Sequence, residues 1–293
     1  MARLLTIAVF VITCLVIAIF SNRGRLTNFQ FSIQSSGLRS SHAILVRLKD
    51  HAVLMEQSSE ERVYPASLTK IMTAIVAMEN LTNLQEKVEL PAAIFSELYY
   101  ADASMAGFRP GERVTAIDLI YGAMLPSGAE CSIGLANHIA GSERAFVQMM
   151  NHKAFELDMD GTHFFNATGL HDWRHYTTVK DLAALLSYAL QNETFRTIFT
   201  SSSHLTQPTN LHPEGMTLSS TLFQKLANTH TDGGVILGGK TGYTEQAGLC
   251  LASLANVNGK EYILVTADAK GDHESEQYNI TDAIMVYNTL GKQ

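Results

Sequence analysis

Two strand–turn–strand patterns stand near opposite ends of the chain, with helical patterns between them. Residues 43–48 (AILVRL) and 52–56 (AVLME) flank Lys49, Asp50 and His51 and read as a β-hairpin. Residues 248–255 (GLCLASLA) and 261–268 (EYILVTAD) flank a connection ending in Asn258 and Gly259, a hairpin-turn signal. Helical spacing occupies the middle: 67–80 after Pro65, with Ile71, Ile75 and Met78 on one face, then 116–124, 133–141, 145–157 and 178–191. Thr178 with Asp181 makes a cap for the last of these. A final helix is expected over 274–290, carrying Ile280, Ala283, Ile284 and Tyr287 on one face. Strands at both ends and helices between predict an α/β (α+β) architecture: one antiparallel sheet built from both chain ends, with flanking helices and an inserted helical lobe. With 46 % hydrophobic residues among 293, the chain can fill one large core or a core shared by two lobes.

The first twenty residues read differently. Residues 4–20 are 17 in a row without a charge, flanked by Arg3 and by Arg23 and Arg25. Seventeen is the lower limit for spanning a bilayer, and no small-x-small cleavage site follows. The expected organisation is an N-terminal membrane anchor or signal segment over 1–20, a polar, Ser-rich linker over 21–40, and a single domain over 41–293. An uncleaved single span is favoured over cleavage and secretion. Net charge is −7 with scattered basic residues, which argues against nucleic acid as a partner. Cys14, Cys131 and Cys250 are too few and too far apart for a disulfide framework or a zinc cage, and read as buried thiols.

Three short segments carry chemistry together. Ser67 and Lys70 lie three apart at a helix start, so the amine can take the hydroxyl proton. Pro126, Ser127 and Gly128 place a hydroxyl on a turn ahead of a helix. Gly239, Lys240, Thr241 and Gly242 stand directly before a predicted strand, whose edge is suited to holding an extended peptide beside the Lys240 charge. Each segment alone is common. Their order is the set known from penicillin-binding proteins and class A β-lactamases.

From residues 41 to 290 the chain resembles the low-molecular-weight penicillin-binding proteins, the serine-type D-alanyl-D-alanine carboxypeptidases. The matching stretches are 64–74 (YPASLTKIMTA), 108–112 (FRPGE), 165–170 (FNATGL), 175–181 (HYTTVKD) and 239–244 (GKTGYT) with Ala247 and Gly248. The resemblance implies a β-lactamase/transpeptidase-like fold and removal of the terminal D-alanine from peptidoglycan stem peptides. Ser67 would be the nucleophile, Lys70 the base and Ser127 the proton relay. Lys240, Thr241, Gly242 and Tyr243 would form the substrate-binding strand, with Lys240 and Thr241 on the terminal carboxylate. The N–H groups of Ser67 and Tyr243 would make the oxyanion hole. It implies β-lactam antibiotics as covalent inhibitors, and no metal or organic cofactor. Desolvation and a nearby Lys240 would both depress the Lys70 pKa. The small all-β domain of longer relatives is expected to be missing, with the N-terminal segment as the tether.

One departure stands out. The family's middle motif is usually Ser-x-Asn, and here it reads Ser127, Gly128, Ala129. Losing the asparagine's hydrogen bond costs about 1–3 kcal/mol if its partner stays unpaired, a rate effect of roughly tenfold to a hundredfold. Glu130 or a water is a candidate replacement. The Glu-x-x-Leu-Asn loop that a class A β-lactamase needs for deacylation is absent between Ser127 and Lys240. A second alternative, from another class, is a sensor that is acylated without turnover. His171 and His175 lack the glutamate of a zinc-peptidase helix and read as structural, as do Asn166 and Asp181. Tyr99 and Tyr100 pack or line the cleft edge, and Asp102 and Ser104 share their loop.

Overall fold

Strand β1 (Ser40–Arg47) from the first hairpin pairs antiparallel with β10 (Lys260–Ala269) from the last, which joins the two ends of the domain. The computed structural model describes residues 37–292. Its six-stranded sheet has the order β2-β1-β10-β9-β8-β7, where β2 is Ala52–Gln57, β7 His230–Thr231, β8 Gly234–Thr244 and β9 Gly248–Val257. Small two-stranded ribbons are made by β3 (Lys87–Glu89) with β4 (Arg113–Thr115) and by β5 (Ser203–Leu205) with β6 (Thr217–Ser219). The last hairpin turns at Asn258 and Gly259, both at positive φ (51° and 72°), as the Asn-Gly signal predicts.

The strands read as nearly continuous apolar runs because both sheet faces are buried. In β1, Ile44 and Val46 enter one core while Ala43 and Leu45 enter the other. In β10, Ile263 and Val265 alternate with Tyr262 and Leu264 in the same way. The larger core is shared with α1 (Thr69–Asn80), α3 (Ala116–Met124), α4 (Ala129–Ala140), α5 (Glu143–Glu156) and α6 (Val179–Ala189). The smaller lies under α9 (Tyr278–Gly291), through Ile280, Ala283, Val286 and Tyr287. The expected sheet, helical lobe and terminal helix are all present. Three short helices were not foreseen: α2 (Ala93–Tyr100), α7 (Glu193–Phe199) and α8 (Thr221–Lys225). Helix α4 starts four residues earlier than the apolar spacing predicts, at Ala129 rather than residue 133, because its polar first turn is buried.

A second correction concerns the Lys-Thr-Gly segment, which lies inside β8 rather than before a strand. Gly238, Gly239 and Gly242 hide the strand from propensity, and they are there for close approach. A Cβ at 238 would lie 2.2 Å from the Phe199 carbonyl oxygen, and one at 239 would lie 2.7 Å from Leu222 Cδ2. The 17-residue apolar run over 4–20 and most of the linker lie outside the described residues. Among the described residues no helix is long and apolar enough to cross a membrane.

One carboxylate ties the start of β1 to the last helix. Asp282 in α9 accepts from the backbone N–H groups of Arg39 and Ser40 (2.9 and 2.8 Å) and from the Ser40 hydroxyl (2.7 Å), and it is buried. Asp282→Ala leaves those donors unpaired and should destabilise the fold by about 2–4 kcal/mol. Urea unfolding measures this; a loss below about 0.5 kcal/mol would show that water replaces the carboxylate without cost.

Candidate active site

Ser67 sits in the tight turn Ala66–Leu68 that leads into α1. Its neighbour Ala66 has φ of +46°, a left-handed conformation that L-residues avoid, and the surroundings hold it there. The Thr69 hydroxyl donates to the Ala66 carbonyl (2.8 Å) and lies 2.8 Å from His175 Nε2. The other ring nitrogen of His175, Nδ1, accepts from the N–H groups of Phe165 and Asn166 (3.2 and 3.3 Å). The imidazole is therefore neutral, with its proton on Nε2, and burial pushes its pKa down to about 3. His175 is thus a structural part of the nucleophile's turn, and His171 packs edge-on against Tyr64.

Two glycines let backbone close in around Ser67. Gly169 is at φ +85°, and a Cβ there would lie 1.9 Å from the Ala66 oxygen. A Cβ at Gly242 would lie 3.1 Å from the Ser67 nitrogen, so β8 runs directly beside the nucleophile. Asn166 shapes the first of these contacts. Its Oδ1 accepts from the N–H groups of Thr168 and Gly169 (3.2 and 2.7 Å), and its amide donates to the Leu170 carbonyl (2.8 Å).

Two serine–lysine pairs flank the cleft, with Ser67, Lys70 and Ser127 on its wall and Lys240 buried behind Ser127. Lys70 Nζ donates to Ser67 Oγ (3.0 Å) and to the Thr168 carbonyl (2.5 Å). Lys240 Nζ donates to Ser127 Oγ (2.9 Å) and to the Thr241 carbonyl (2.8 Å). Ser127 is held at φ +69°, on the turn ahead of α4. Burial brings the Lys70 pKa down to about 7, against an opposing pull from the Glu130 carboxylate. Lys240 is pushed well below the ordinary lysine range, first by burial and then by the charge of Lys70. The sequence reading assigned the second-cation effect to Lys70. The structure puts it on Lys240 instead.

Ala129 lines the cleft with no polar atom, and Glu130 does not take over from the family's asparagine. The Glu130 carboxylate turns back to accept from the N–H groups of Ala106 and Gly107 (2.7 and 3.0 Å) through Oε1. Its Oε2 is buried without a partner. Burial raises the Glu130 pKa. The second acceptor for Lys70 is instead the Thr168 carbonyl, which comes from a segment 98 residues away.

The cleft divides at Ser67. One side, about 420 Å³, is walled by Asp102, Ser104 and Ala129, by Thr168 to His171 and by Tyr243 to Gln246. The other, about 120 Å³, runs past Ser127, Thr221, Lys225, Thr241 and Gly242. Asp102 and Ser104, which the sequence leaves undecided, line the groove. Tyr99 and Tyr100 are exposed and wall neither side of it. Thr168, Gly169, Thr221 and Lys225 were not singled out from sequence; the 165–170 match was the one signal that pointed to the first two. The cysteines among the described residues, Cys131 and Cys250, are buried free thiols.

This geometry supplies an activated hydroxyl, a second hydroxyl beside it and an open groove, which suits acyl transfer. The sequence profile of the D-alanyl-D-alanine carboxypeptidase family matches residues 29–271. D-alanyl-D-alanine carboxypeptidase DacF of Bacillus subtilis (strain 168) is 31 % identical over 237 residues, covering 79 % of this chain and 58 % of that protein. The chain thus spans less than two thirds of that relative's length. A D-alanyl-D-alanine carboxypeptidase of Streptomyces sp. (strain K15) is 30 % identical over 218 residues, covering 72 % of this chain and 74 % of its own. The crystal structure of the Streptomyces K15 DD-transpeptidase superposes with a TM-score of 0.77 at 26 % identity, over 88 % of this chain and all of that one. By profile, relatives and fold, the chain belongs to the D-alanyl-D-alanine carboxypeptidase family.

Proposed function

We propose that the protein removes the terminal D-alanine from peptidoglycan stem peptides through an acyl-enzyme on Ser67. The observation that carries this reading is Lys70: a buried amine with a pKa near 7, donating to Ser67 Oγ at 3.0 Å. Neutral Lys70 takes the hydroxyl proton as Ser67 Oγ bonds to the carbonyl carbon between the two terminal D-alanines. The C–N bond then breaks as Ser127 relays to the departing amine the proton that Lys70 took from Ser67, which leaves Lys70 neutral and Ser127 protonated again. Water hydrolyses the ester and frees Ser67. The N–H groups of Ser67 and Tyr243 are the proposed oxyanion donors, a contribution typically worth a few kcal/mol in the transition state. Beyond Ile236, whose N–H donates to the Thr229 carbonyl, the outer edge of β8 has no partner strand among the described residues and can pair with an extended peptide, next to Lys240, Thr241 and Gly242.

The test is D-alanine release from a diacyl tripeptide ending in D-Ala-D-Ala, followed with and without penicillin, alongside the intact mass of the protein. Wild type should release D-alanine and gain a penicillin adduct, and Ser67→Ala should do neither. An adduct without D-alanine release would favour a sensor, whereas fast hydrolysis of the β-lactam would favour a β-lactamase. No adduct at all would sink the reading. We also place the domain outside the cytoplasm, held by a membrane span over 4–20 through the 21–40 linker. Release of the protein from membranes by alkaline carbonate would contradict that anchor.

Glu130 supports the base from behind. Glu130→Gln keeps an oxygen for the Ala106 and Gly107 N–H groups but removes the charge that holds a proton on Lys70. The midpoint of the pH profile for acylation should therefore move to lower pH. A midpoint equal to that of wild type would separate Glu130 from the ionisation of Lys70.

A further inference from the structure

The chain has one tryptophan, Trp173, and the fold leaves it 74 % exposed. A side chain this large and apolar ordinarily buries most of its surface. Phe165, on the same loop, is 40 % exposed. The Arg174 guanidinium bridges the two, 3.6 Å from the Phe165 ring centre and 5.7 Å from that of Trp173. The three side chains thus form one aromatic surface rather than scattered exposed residues.

The loop that carries this surface is pinned. The backbones of His163 and Tyr176 pair at its base (2.8 and 3.0 Å), and Asn166 and His175 hold its interior. Asp172 accepts from Arg174 Nε and one Nη (2.8 and 2.7 Å), which leaves the other Nη without a partner among the described residues. The position is as telling as the rigidity. Gly169 abuts the Ser67 turn, and Thr168 to His171 wall the larger side of the cleft. Trp173 stands four residues past Gly169, so its backbone lies within about 15 Å of that contact. The smaller side, about 120 Å³, suits the single departing residue, and the rest of the peptide then runs along the larger side, about 420 Å³. In a pentapeptide stem, four residues separate the reacting carbonyl from the sugar that bears the peptide, a reach of about 14 Å. The two reaches match.

We propose that Trp173, with Phe165 and Arg174, is a platform for the sugar that carries the stem peptide, so that the enzyme prefers peptide attached to glycan. The face of the indole ring is negative, and the C–H bonds on the flat side of a pyranose are its apolar, weakly positive part. The free Arg174 Nη supplies a donor for a sugar or acetamido oxygen. A rigid ring on a pinned loop loses little freedom when it is covered. A sugar fits this surface better than a membrane or a second copy, because the Arg174–Asp172 ion pair and exposed His171 interrupt the apolar area. This assignment rests on the carboxypeptidase reading and names the wider substrate of the same site.

The experiment compares kcat/KM for D-alanine release from a disaccharide pentapeptide with that from the free pentapeptide, using the full chain in wild-type, Trp173→Ala and Trp173→Phe forms. Wild type should prefer the glycan-bearing substrate. Trp173→Ala should shrink that preference by about 5- to 10-fold, and Trp173→Phe should retain part of it. Because Trp173 is the sole tryptophan, the emission of wild type reports on the platform directly, and it should change when peptide-free glycan fragments are added. No preference in wild type, or an equal loss on both substrates in Trp173→Ala, overturns the assignment. An emission that responds to protein concentration or to lipid vesicles but not to glycan fragments overturns it in favour of a second copy or a membrane. If wild type releases D-alanine from neither substrate, the carboxypeptidase reading fails, and the platform stands or falls on the emission with glycan fragments.

Discussion

Lys70→Met should slow acylation of Ser67 by penicillin at pH 7 by about a thousandfold or more, since the hydroxyl then has no base within reach. In wild type the rate should climb with pH and level off above about 7, where burial leaves the Lys70 amine neutral. The same burial has a cost in stability. Unfolded, the amine holds its proton up to about 10.5; folded, it releases it near 7. Between those values the unfolded chain binds more protons, so stability rises with pH across that window. Below 7 both states are protonated, and the penalty of burying the charge is complete. Lys70→Met removes that penalty, so the variant should be more stable than wild type, most clearly at pH 6 and less so at pH 9. Urea unfolding at the two pH values, together with adduct formation by mass, checks both halves. Near-normal acylation of Lys70→Met would take the base role away from Lys70.

The sheet was legible because its signal is redundant. Strands buried on both faces, such as residues 43–48 and 261–268, leave few other readings once an Asn-Gly turn joins a pair. Strand β8 was hidden for the opposite reason: the glycines that let it touch the Ser67 turn, Phe199 and Leu222 erase its propensity. The short helices α2, α7 and α8 are stabilised by packing rather than by a repeating apolar face, so periodicity missed them. In the site, Ser67 with Lys70 is a local spacing and was readable, and the order of the three segments brought in Ser127 and Lys240. Contacts made across the fold left no local trace. The Thr168 carbonyl reaches Lys70 from 98 residues away, and Lys225 reaches the cleft through a partner 52 residues distant. The effect of Ala129 was also undecidable from sequence, because which group replaces an absent amide depends on where the chain returns.

Gly169→Ala should disable the site more completely than any other single methyl group. The added Cβ would lie 1.9 Å from the Ala66 oxygen, 2.4 Å from its carbonyl carbon and 3.0 Å from the Ser67 nitrogen. All three are backbone atoms, so no side chain can swing away. The turn they belong to is already strained at Ala66 and held by Thr69 and His175. Relief must come from moving the 168–170 segment, which carries the Thr168 carbonyl away from Lys70, or from moving Ser67 itself. We expect a loss of about 3–5 kcal/mol in stability. Acylation should fall at least about a hundredfold in the protein that remains folded, because a displacement near 1 Å is enough for that. Gly141 supplies the control. It too has positive φ (+76°), but nothing lies within 4 Å of its Cβ position. Gly141→Ala should therefore show the conformational strain alone, about 1 kcal/mol, with acylation unaffected. If the two variants lose similar stability and Gly169→Ala is still acylated at the wild-type rate, then the backbone around Ser67 yields far more readily than its packing implies.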